Sequence, residues 1–380
     1  MTRAASPFGR GTPTGRGHTW VEPTLVCEVR FTEWTAEGGF RHPAFLGLRD
    51  DTSPAQCRRE TAEPPPTPAV ESTAEVTPAD EPRDVPLSNV SKIFWPAERY
   101  TKGDLLAYYD TVAPLLLPYL RARPLVLTRF PDGIAGKSFY QKDAPHFAPS
   151  WLRTVRIDAP EAERAIDYVV VDDAASLRYI VNLAAIPLHL WGSRASALEH
   201  PDWLILDLDP KGAPFTDVVR VARALRRILD ELELASFVKT SGATGLHILL
   251  PLGARYTWEE TRTFARLLAT LGIEATPDIA TMARPLRERA GKVYIDWLQN
   301  VQGQTIAAPF SVRPLPGATV SCPLRWDEVT ARLDPRRFTI ATVPRRFARM
   351  KDPVAPVLGP AVDIPAALRR LERRVARRRL

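Results

Sequence analysis

The most regular pattern of apolar and polar positions lies in the segment Leu204–Pro210, where leucines alternate with two aspartates. In an extended strand, successive side chains point to opposite faces. The pattern therefore predicts a strand whose leucines are buried on one face. Asp207 and Asp209 are expected together on the other face, roughly 6–7 Å apart by the spacing of strand residues.

Helical and strand patterns follow each other from about residue 88 to about residue 350. A capping box at Thr101–Asp104 predicts the start of one helix. Apolar residues spaced three and four apart predict two more, from near Thr216 and over Trp258–Leu271. Apolar runs on both sides of the glycine-containing segment Ser241–Gly245 predict a strand, a turn and a second strand. We therefore expect an α+β (mixed α/β) fold.

The remaining segments differ in composition. Residues 19–49 show a strand pattern interrupted at Glu37–Gly39, which predicts a β-hairpin too short to fold alone. Residues 61–87 hold seven prolines, six acidic residues and one arginine, as an extended, solvated linker does. The predicted organisation is residues 1–18 disordered, 19–60 a β fragment, 61–87 a linker, 88–350 the globular domain and 351–380 a basic tail.

The composition of the chain indicates an anionic partner. The chain has 380 residues, a net charge of +7 and a pI of about 9.4, which favours nucleic acid as a partner. Its cysteines, Cys27, Cys57 and Cys322, are widely spaced and lack a C-x-x-C motif, which argues against structural zinc. Without a membrane-spanning or secretory segment, we expect a cytoplasmic location and no membrane partner.

A third aspartate, Asp296, ends the apolar run Val293–Ile295 and has the same setting as Asp207 and Asp209. Carboxylates that lie so near each other repel unless a cation lies between them. Their oxygens are ligands that suit Mg²⁺ or Mn²⁺. Two such ions can activate a hydroxyl and stabilise a leaving pyrophosphate. The pattern predicts metal-dependent phosphoryl transfer. Nucleotide-sugar glycosyltransferases are the alternative, disfavoured by the third aspartate and the basic charge.

The predicted turn before His247 is a candidate phosphate-binding loop. Its glycines permit close approach of the backbone, and Ser241 can donate to a phosphate oxygen. His247 is predicted on the face opposite Leu246, so it can reach the site of the aspartates. An ordinary glycine turn with a core histidine is the alternative.

Other candidates are individually weaker. Phe139 and its aromatic neighbour lie between two lysines and can stack a base, or else they are half-buried strand aromatics. Lys92 and Lys102 can hold a phosphate or be surface lysines. Arg313 can pair with a triphosphate, and His189 is by default a core histidine.

In order and spacing, eight segments resemble the polymerase domain of bacterial ligase D, in the archaeo-eukaryotic primase superfamily. They are SKIFWP, TKGDLLAYY, TRFPDG, SFYQKDAP, LILDLDP, KTSGATGLHI, YIDWLQN and TIAAPFSVRPLPGATVSCPLRWDEV. The resemblance covers about residues 88–350. It implies a primase-polymerase fold, with a central mixed sheet flanked by helices.

The resemblance also implies roles for single residues. The matching positions are Asp207, Asp209 and Asp296 as metal-binding, catalytic aspartates, Ser241, His247 and Arg313 as contacts to the incoming triphosphate, His189 in the nucleotide pocket, Lys92 and Lys102 on a DNA 5′-phosphate, and Phe139 stacked on the template. Many family members carry a lysine where this chain has Thr244, so one charged contact to the phosphates is expected to be missing.

The implied function is nucleotide addition to 3′-hydroxyl ends at gaps and double-strand breaks in non-homologous end joining. It implies two Mn²⁺ or Mg²⁺ ions, ribo- or deoxyribonucleoside triphosphates with ribonucleotides favoured, gapped or broken DNA, and Ku with a DNA ligase as partners. The alternative is a catalytically weak DNA-end scaffold for Ku and a separate ligase.

The amino-terminal segment resembles the end of the OB-fold domain of an ATP-dependent DNA ligase. The matching stretches are WVEP at 20–23, FTEW at 31–34 and RHPAFLGLR at 41–49. No K-x-D-G motif occurs in the sequence, so no lysine is placed to accept AMP. We expect residues 19–60 to be a ligase remnant that does not seal nicks.

Overall fold

The computed structural model describes residues 2–3, 20–22, 24, 26–30, 44–49, 83–159, 164–289 and 291–378. The chain forms two compact units. One comprises Met1–Pro78 with Asp158–Ala165, and the other comprises Ala79–Ile157 with Ile166–Leu380.

The amino-terminal unit contains two antiparallel pairs of strands. Thr2–Arg3 (β1) pairs with Trp20–Val21 (β2), so two residues of the segment predicted to be disordered form a strand. Val26–Arg30 (β3) pairs with Ala44–Arg49 (β4), which confirms the hairpin pairing. The predicted turn at 37–39, the predicted strand residues 40–43 and the linker residues 61–82 lie outside the described residues.

Residues 83–378 contain most of the described elements. The strands are Ile93–Trp95 (β5), Tyr100–Thr101 (β6), Pro124–Arg129 (β7), Phe139–Gln141 (β8), Thr154–Ala159 (β9), Arg164–Val170 (β10), Ala185–Trp191 (β11), Trp203–Lys211 (β12), Phe237–Thr240 (β13), Leu246–Pro251 (β14), Ala280–Thr281 (β15), Lys292–Asp296 (β16), Thr305–Ala307 (β17) and Pro323–Leu324 (β18). The helices are Lys102–Leu120 (α1), Ala174–Asn182 (α2), Phe215–Glu231 (α3), Trp258–Ala275 (α4), Val343–Phe347 (α5) and Ile364–Arg378 (α6).

Strands β5 and β6 pair with each other, and the other strands of this range form two larger sheets. Sheet A has the order β17-β11-β7-β10-β9, with β8 also paired to β7, and sheet B has the order β15-β16-β12-β14-β13-β18. Sheet B is mixed, because β15 and β16 are parallel whereas β12 is antiparallel to both of its neighbours. The predicted mixed α/β fold is confirmed. The strands of these two sheets thus lie in separate layers of pairing, whereas the resemblance implied one central mixed sheet.

Strand β12 contributes to two hydrophobic cores. Trp203 and Ile205 belong to the core that includes α1, α2, β7 and β11. The leucines at 204, 206 and 208 belong to the core that includes α3 and α4. Asp207 and Asp209 continue the face of Trp203 and Ile205, as the alternation predicts.

The predicted helix starts are confirmed. At α1 the Thr101 hydroxyl accepts a hydrogen bond from the Asp104 backbone N at 3.1 Å, and the Asp104 carboxylate accepts one from the Thr101 backbone N at 2.7 Å. Helices α3 and α4 begin at Phe215 and Trp258. None of the described helices combines the length and apolar composition needed to span a bilayer.

Both ends of the predicted globular domain extend further than composition indicated. Before residue 88, Val85 is buried and Arg83 forms an ion pair with Asp173 at 3.0 Å. After residue 350, Val354 and Ile364 are buried in the two cores. Apolar residues within proline-, acid- or arginine-rich segments are thus buried in the domain, which mean composition does not show.

Candidate active site

Four charged or titratable side chains form a row across four neighbouring strands of sheet B. In the strand register, Lys239 of β13 is directly opposite His247 of β14. His247 is opposite Asp207 of β12, which is opposite Asp296 of β16. Directly opposite residues point to the same face of a sheet. Asp209 lies on this face too, two residues further along β12.

The aspartates of this face have different contacts. Asp207 Oδ1 lies 3.4 Å from His247 Nε2. Asp296 Oδ1 accepts a hydrogen bond from the Leu298 backbone N at 2.8 Å. Burial, followed by repulsion from Asp296 and Asp209, raises the pKa of Asp207 to about 7. The ionised form of Asp207 therefore needs a positive charge nearby.

The aspartates fit a divalent metal site by donor type and by strand position. Their oxygens are the ligands that Mg²⁺ and Mn²⁺ prefer, and a cation would relieve the repulsion around Asp207. The side chains do not converge on one point, however. Within the described part of the chain, no three His, Cys, Asp or Glu side chains are grouped as ligands of an ion would be.

A cavity of about 350 Å³ opens beside this row. One wall comes from β12 and β14 of sheet B and the other from β11 and β17 of sheet A. Tyr140 of β8 and the loops after β13, β16 and β17 also line the cavity. The predicted residues that line it are His189, Asp207, Asp209, Ser241, His247 and Arg313. The structure thus brings together residues from four separate segments of the sequence, with Ser241 and His247 in one hairpin.

The loop after β13 is closed by Ser241. Its hydroxyl accepts hydrogen bonds from the backbone N of Ala243 at 3.1 Å and of Gly245 at 3.0 Å. Gly242 has a φ of +75°, and a Cβ there would lie 2.6 Å from Arg313 Cγ and 2.7 Å from the Ser321 backbone N. Glycine at 242 therefore allows Arg313 to pack against the loop.

Gly242→Ala is expected to lower the free energy of unfolding by about 2–4 kcal/mol, because left-handed strain and crowding against Arg313 add. Urea unfolding measures this change. Gly212→Ala is the matched control, since its φ is +78° but the nearest atom is 4.0 Å away. We expect about 1–2 kcal/mol there, from strain alone. Equal losses in the two variants would contradict the crowding argument.

His189 and the cationic Arg313 lie next to each other in the cavity wall. An Nη of Arg313 lies 3.5 Å from His189 Nε2. Burial, then the charges of Arg313 and Lys239, lower the pKa of His189 to about 4. Arg313 Nε is buried and has no hydrogen-bond partner among the described residues. This wall is therefore suited to an anionic ligand such as a polyphosphate.

The lowered pKa of His189 predicts acid sensitivity. Between pH 6.5 and pH 4 the unfolded chain binds a proton that the folded histidine does not, so the free energy of unfolding falls as the pH falls. The contribution is at most about 3 kcal/mol. Urea unfolding at pH 7 and pH 5 should show a smaller pH dependence in His189→Gln. His146→Gln, the same change at an exposed histidine, is the control variant.

Four predicted residues are not part of the cavity lining: Asp296, which is opposite Asp207 on β16, and Lys92, Lys102 and Phe139. Lys92 Nζ lies 2.6 Å from Asp132 Oδ1, and Lys102 Nζ donates to the Ser88 carbonyl at 2.6 Å. Lys102 is buried, and burial lowers its pKa, as does the charge of Lys92. Phe139 is 45% exposed on β8. The two lysines are thus close to each other, but both ammonium groups already bind groups of the protein.

Three further residues lie in this row or line the cavity; sequence reasoning gave Tyr140 only a possible base-stacking role and gave none to Lys239 and Gln299. Lys239 is fully buried and ends the row on β13, while Tyr140 and Gln299 line the cavity. The position of Lys239 could have been predicted from the sequence, because a hairpin closed by Ser241 and Gly245 pairs residue 239 with residue 247. The positions of Tyr140 and Gln299 depend on contacts between distant segments, which the local pattern does not encode.

Most of the chain is similar to known proteins of one family. Residues 101–354 match the model of the "LigD, primase-polymerase domain" family, and residues 1–52 match that of the "ATP dependent DNA ligase C terminal region". The multifunctional non-homologous end joining protein LigD of Pseudomonas aeruginosa is 31% identical over 355 residues. The bifunctional protein LigD of Bacillus subtilis is 30% identical over 347 residues.

The alignments span 92% and 90% of this chain but 42% and 53% of those two relatives, about half their length. Among solved structures, the polymerase domain of Mycobacterium tuberculosis ligase D in complex with DNA matches with a TM-score of 0.68 and 30% identity. That match covers 73% of this chain and 99% of the solved domain. The chain therefore belongs to the LigD primase-polymerase domain family, as its sequence motifs predicted.

Proposed function

We propose that this chain adds nucleotides to 3′-hydroxyl ends of DNA at gaps and double-strand breaks in bacterial non-homologous end joining. The observation that carries the proposal is the arrangement of one cavity. Asp207 and Asp209 form one wall, and the cationic Arg313 and the Ser241 loop lie around the same space. Carboxylates for metal ions next to a polyphosphate site are what nucleotidyl transfer requires.

The proposed role of each residue follows from the chemistry of its side chain. Asp207, Asp209 and Asp296 would hold two divalent cations, Mn²⁺ or Mg²⁺, which lower the pKa of the attacking hydroxyl and stabilise the departing pyrophosphate. Arg313 offers its half-buried guanidinium to the triphosphate, and Ser241 its hydroxyl. His189 lies beside Arg313 in the nucleotide pocket.

DNA is the proposed partner of the face around Lys92 and Lys102. The net charge of +7 favours a polyanion, and the similar solved domain is described in complex with DNA. For a 5′-phosphate to bind there, Lys92 has to leave Asp132 and Lys102 has to leave the Ser88 carbonyl. Both ammonium groups can then bind phosphate oxygens. Phe139 is exposed enough to stack on a template base. Ku and a separate DNA ligase are proposed partners by analogy with the end joining relatives.

We propose that the chain does not act as a ligase itself. Its first 52 residues match the carboxy-terminal region of ATP-dependent ligases, and the sequence contains no K-x-D-G motif. Without that lysine, no residue is placed to take AMP from ATP. Incubation with radiolabelled ATP should leave the protein unlabelled.

Gap filling on a 5′-phosphorylated gapped duplex tests the proposed function. Ribo- and deoxyribonucleoside triphosphates are compared with Mg²⁺ and with Mn²⁺. We expect primer extension that needs a divalent metal, with ribonucleotides and Mn²⁺ favoured. Tight binding to the 5′-phosphorylated gap without extension under any condition would contradict the proposal and favour the DNA-end scaffold.

A further inference from the structure

Lys239 is a fully buried lysine for which the proposed function has no role. It lies on β13, at the end of the row that leads through His247 to Asp207. Its Nζ is 2.6 Å from His247 Nδ1, 2.7 Å from Ser321 Oγ and 3.0 Å from the Ala307 carbonyl oxygen. A buried ammonium is costly unless each of its hydrogens is bonded.

The partners of Lys239 account for all three hydrogens of an ammonium. The Ala307 carbonyl can only accept. Ser321 Oγ donates its own hydrogen to the Thr240 carbonyl at 2.8 Å, so it accepts from Lys239. His247 Nδ1 is then the third acceptor, which leaves that nitrogen without a hydrogen.

The other side of the imidazole leads to the same assignment. His247 Nε2 faces Asp207 Oδ1 at 3.4 Å. A bare nitrogen would repel Asp207 when this carboxylate is ionised, whereas an N–H attracts it. The contacts of Lys239 therefore assign a neutral imidazole with its hydrogen on Nε2, and the ionised form of Asp207 favours the same tautomer.

We propose that Lys239 is a positioning residue that holds His247 as a neutral Nε2–H donor aimed into the cavity. The donor faces Asp207 in the empty protein and, if the proposed function holds, an anionic oxygen of the bound nucleotide. Lys239 acts through His247 and does not touch the substrate. Its bond to Ala307 of β17 also joins sheet B to sheet A behind the cavity.

A purely structural role for Lys239 makes a different prediction. If the lysine only joins the two sheets, its loss lowers stability but leaves the tautomer of His247 unchanged. If the amine is neutral and accepts a hydrogen from Nδ1, the unmodified protein carries the opposite tautomer.

Nitrogen-15 NMR of the full chain with labelled histidine tests the proposal. The signals of His247 are assigned by their loss in His247→Asn. We expect a protonated Nε2 and a bare Nδ1 in the unmodified protein, and a mixture of tautomers in Lys239→Met. Lys351→Met, at an exposed lysine, should leave the signals unchanged. A hydrogen on Nδ1 in the unmodified protein, or an unchanged tautomer in Lys239→Met, would overturn the proposal. The tautomer of the unmodified protein can be measured even if Lys239→Met does not fold.

Kinetics on the gapped duplex supply the second readout. We expect Lys239→Met to lower kcat/KM about tenfold or more, and to change it less than twofold when His247 is already Asn, since the two act as a unit. Equal effects of Lys239→Met in both backgrounds would contradict a role through His247. The NMR result does not depend on polymerase activity, so an inactive protein with the expected tautomer would refute the proposed function alone.

Discussion

Asp209→Asn is expected to lower the rate of nucleotide addition about a thousandfold or more. The change keeps the size of the side chain and one oxygen but removes the charge that would hold a cation at the edge of the cavity. A metal ion supplies several kcal/mol of transition-state stabilisation, and about 4 kcal/mol corresponds to a thousandfold in rate. Asp207→Asn should have a similar effect. Single-turnover extension of a gapped duplex measures both.

A control variant shows whether the rate depends on a negative charge at the cavity or on the total charge of the protein. Asp327→Asn removes an equally charged group that pairs with Arg325 at the surface, and it should leave the rate within about twofold. Fluorescence anisotropy should show that Asp209→Asn still binds the gapped duplex. Extension within tenfold of the unmodified rate in both aspartate variants would refute the metal assignment.

Asp202→Ala is expected to destabilise the fold by about 3–5 kcal/mol, because it leaves a buried cation unpaired. Arg123 is fully buried, and its guanidinium forms an ion pair with Asp202. The same group donates to the Gly192 carbonyl at 2.9 Å and lies 4.0 Å from the ring centre of Trp203. Asp202 also binds Arg194 at 2.9 Å. Urea unfolding followed by tryptophan fluorescence measures the loss.

Two comparisons show whether the unpaired charge is the cause. Asp110→Ala breaks a half-exposed pair with Arg178 and should cost no more than about 1 kcal/mol. Adding Arg123→Met to Asp202→Ala should recover part of the stability, because the double variant contains no buried charge at this position. A double variant less stable than Asp202→Ala alone would indicate that the arginine contributes by packing instead.

The local parts of the candidate site could be predicted from sequence because each follows from a short-range rule. Alternation of side chains indicated the shared face of Asp207 and Asp209. A glycine turn closed at Ser241 indicated the hairpin that brings His247 to the same face. These signals extend over about ten residues, which is the range over which backbone geometry alone relates side chains.

The long-range parts could not be predicted from the pattern. His189 reaches the cavity because β11 pairs with β17, where it is opposite Ala307, more than a hundred residues later. No local rule selects that partner. The contacts that turn Asp296 toward Leu298, and the lysines toward Asp132 and Ser88, depend on rotamers of neighbouring groups. Sequence indicates which side chains share a region, and only coordinates show which atoms meet.

The alternation along β12 links the chemistry of this chain to its folding. Deleting or inserting one residue after Trp203 would exchange the two faces of the strand beyond that point. The aspartates would then enter the apolar core, and the leucines would face the space meant for a charged ligand. A change of length within β12 is therefore expected to damage both catalysis and stability. Natural variation in the length of this protein is accordingly expected in its loops, and not within this strand.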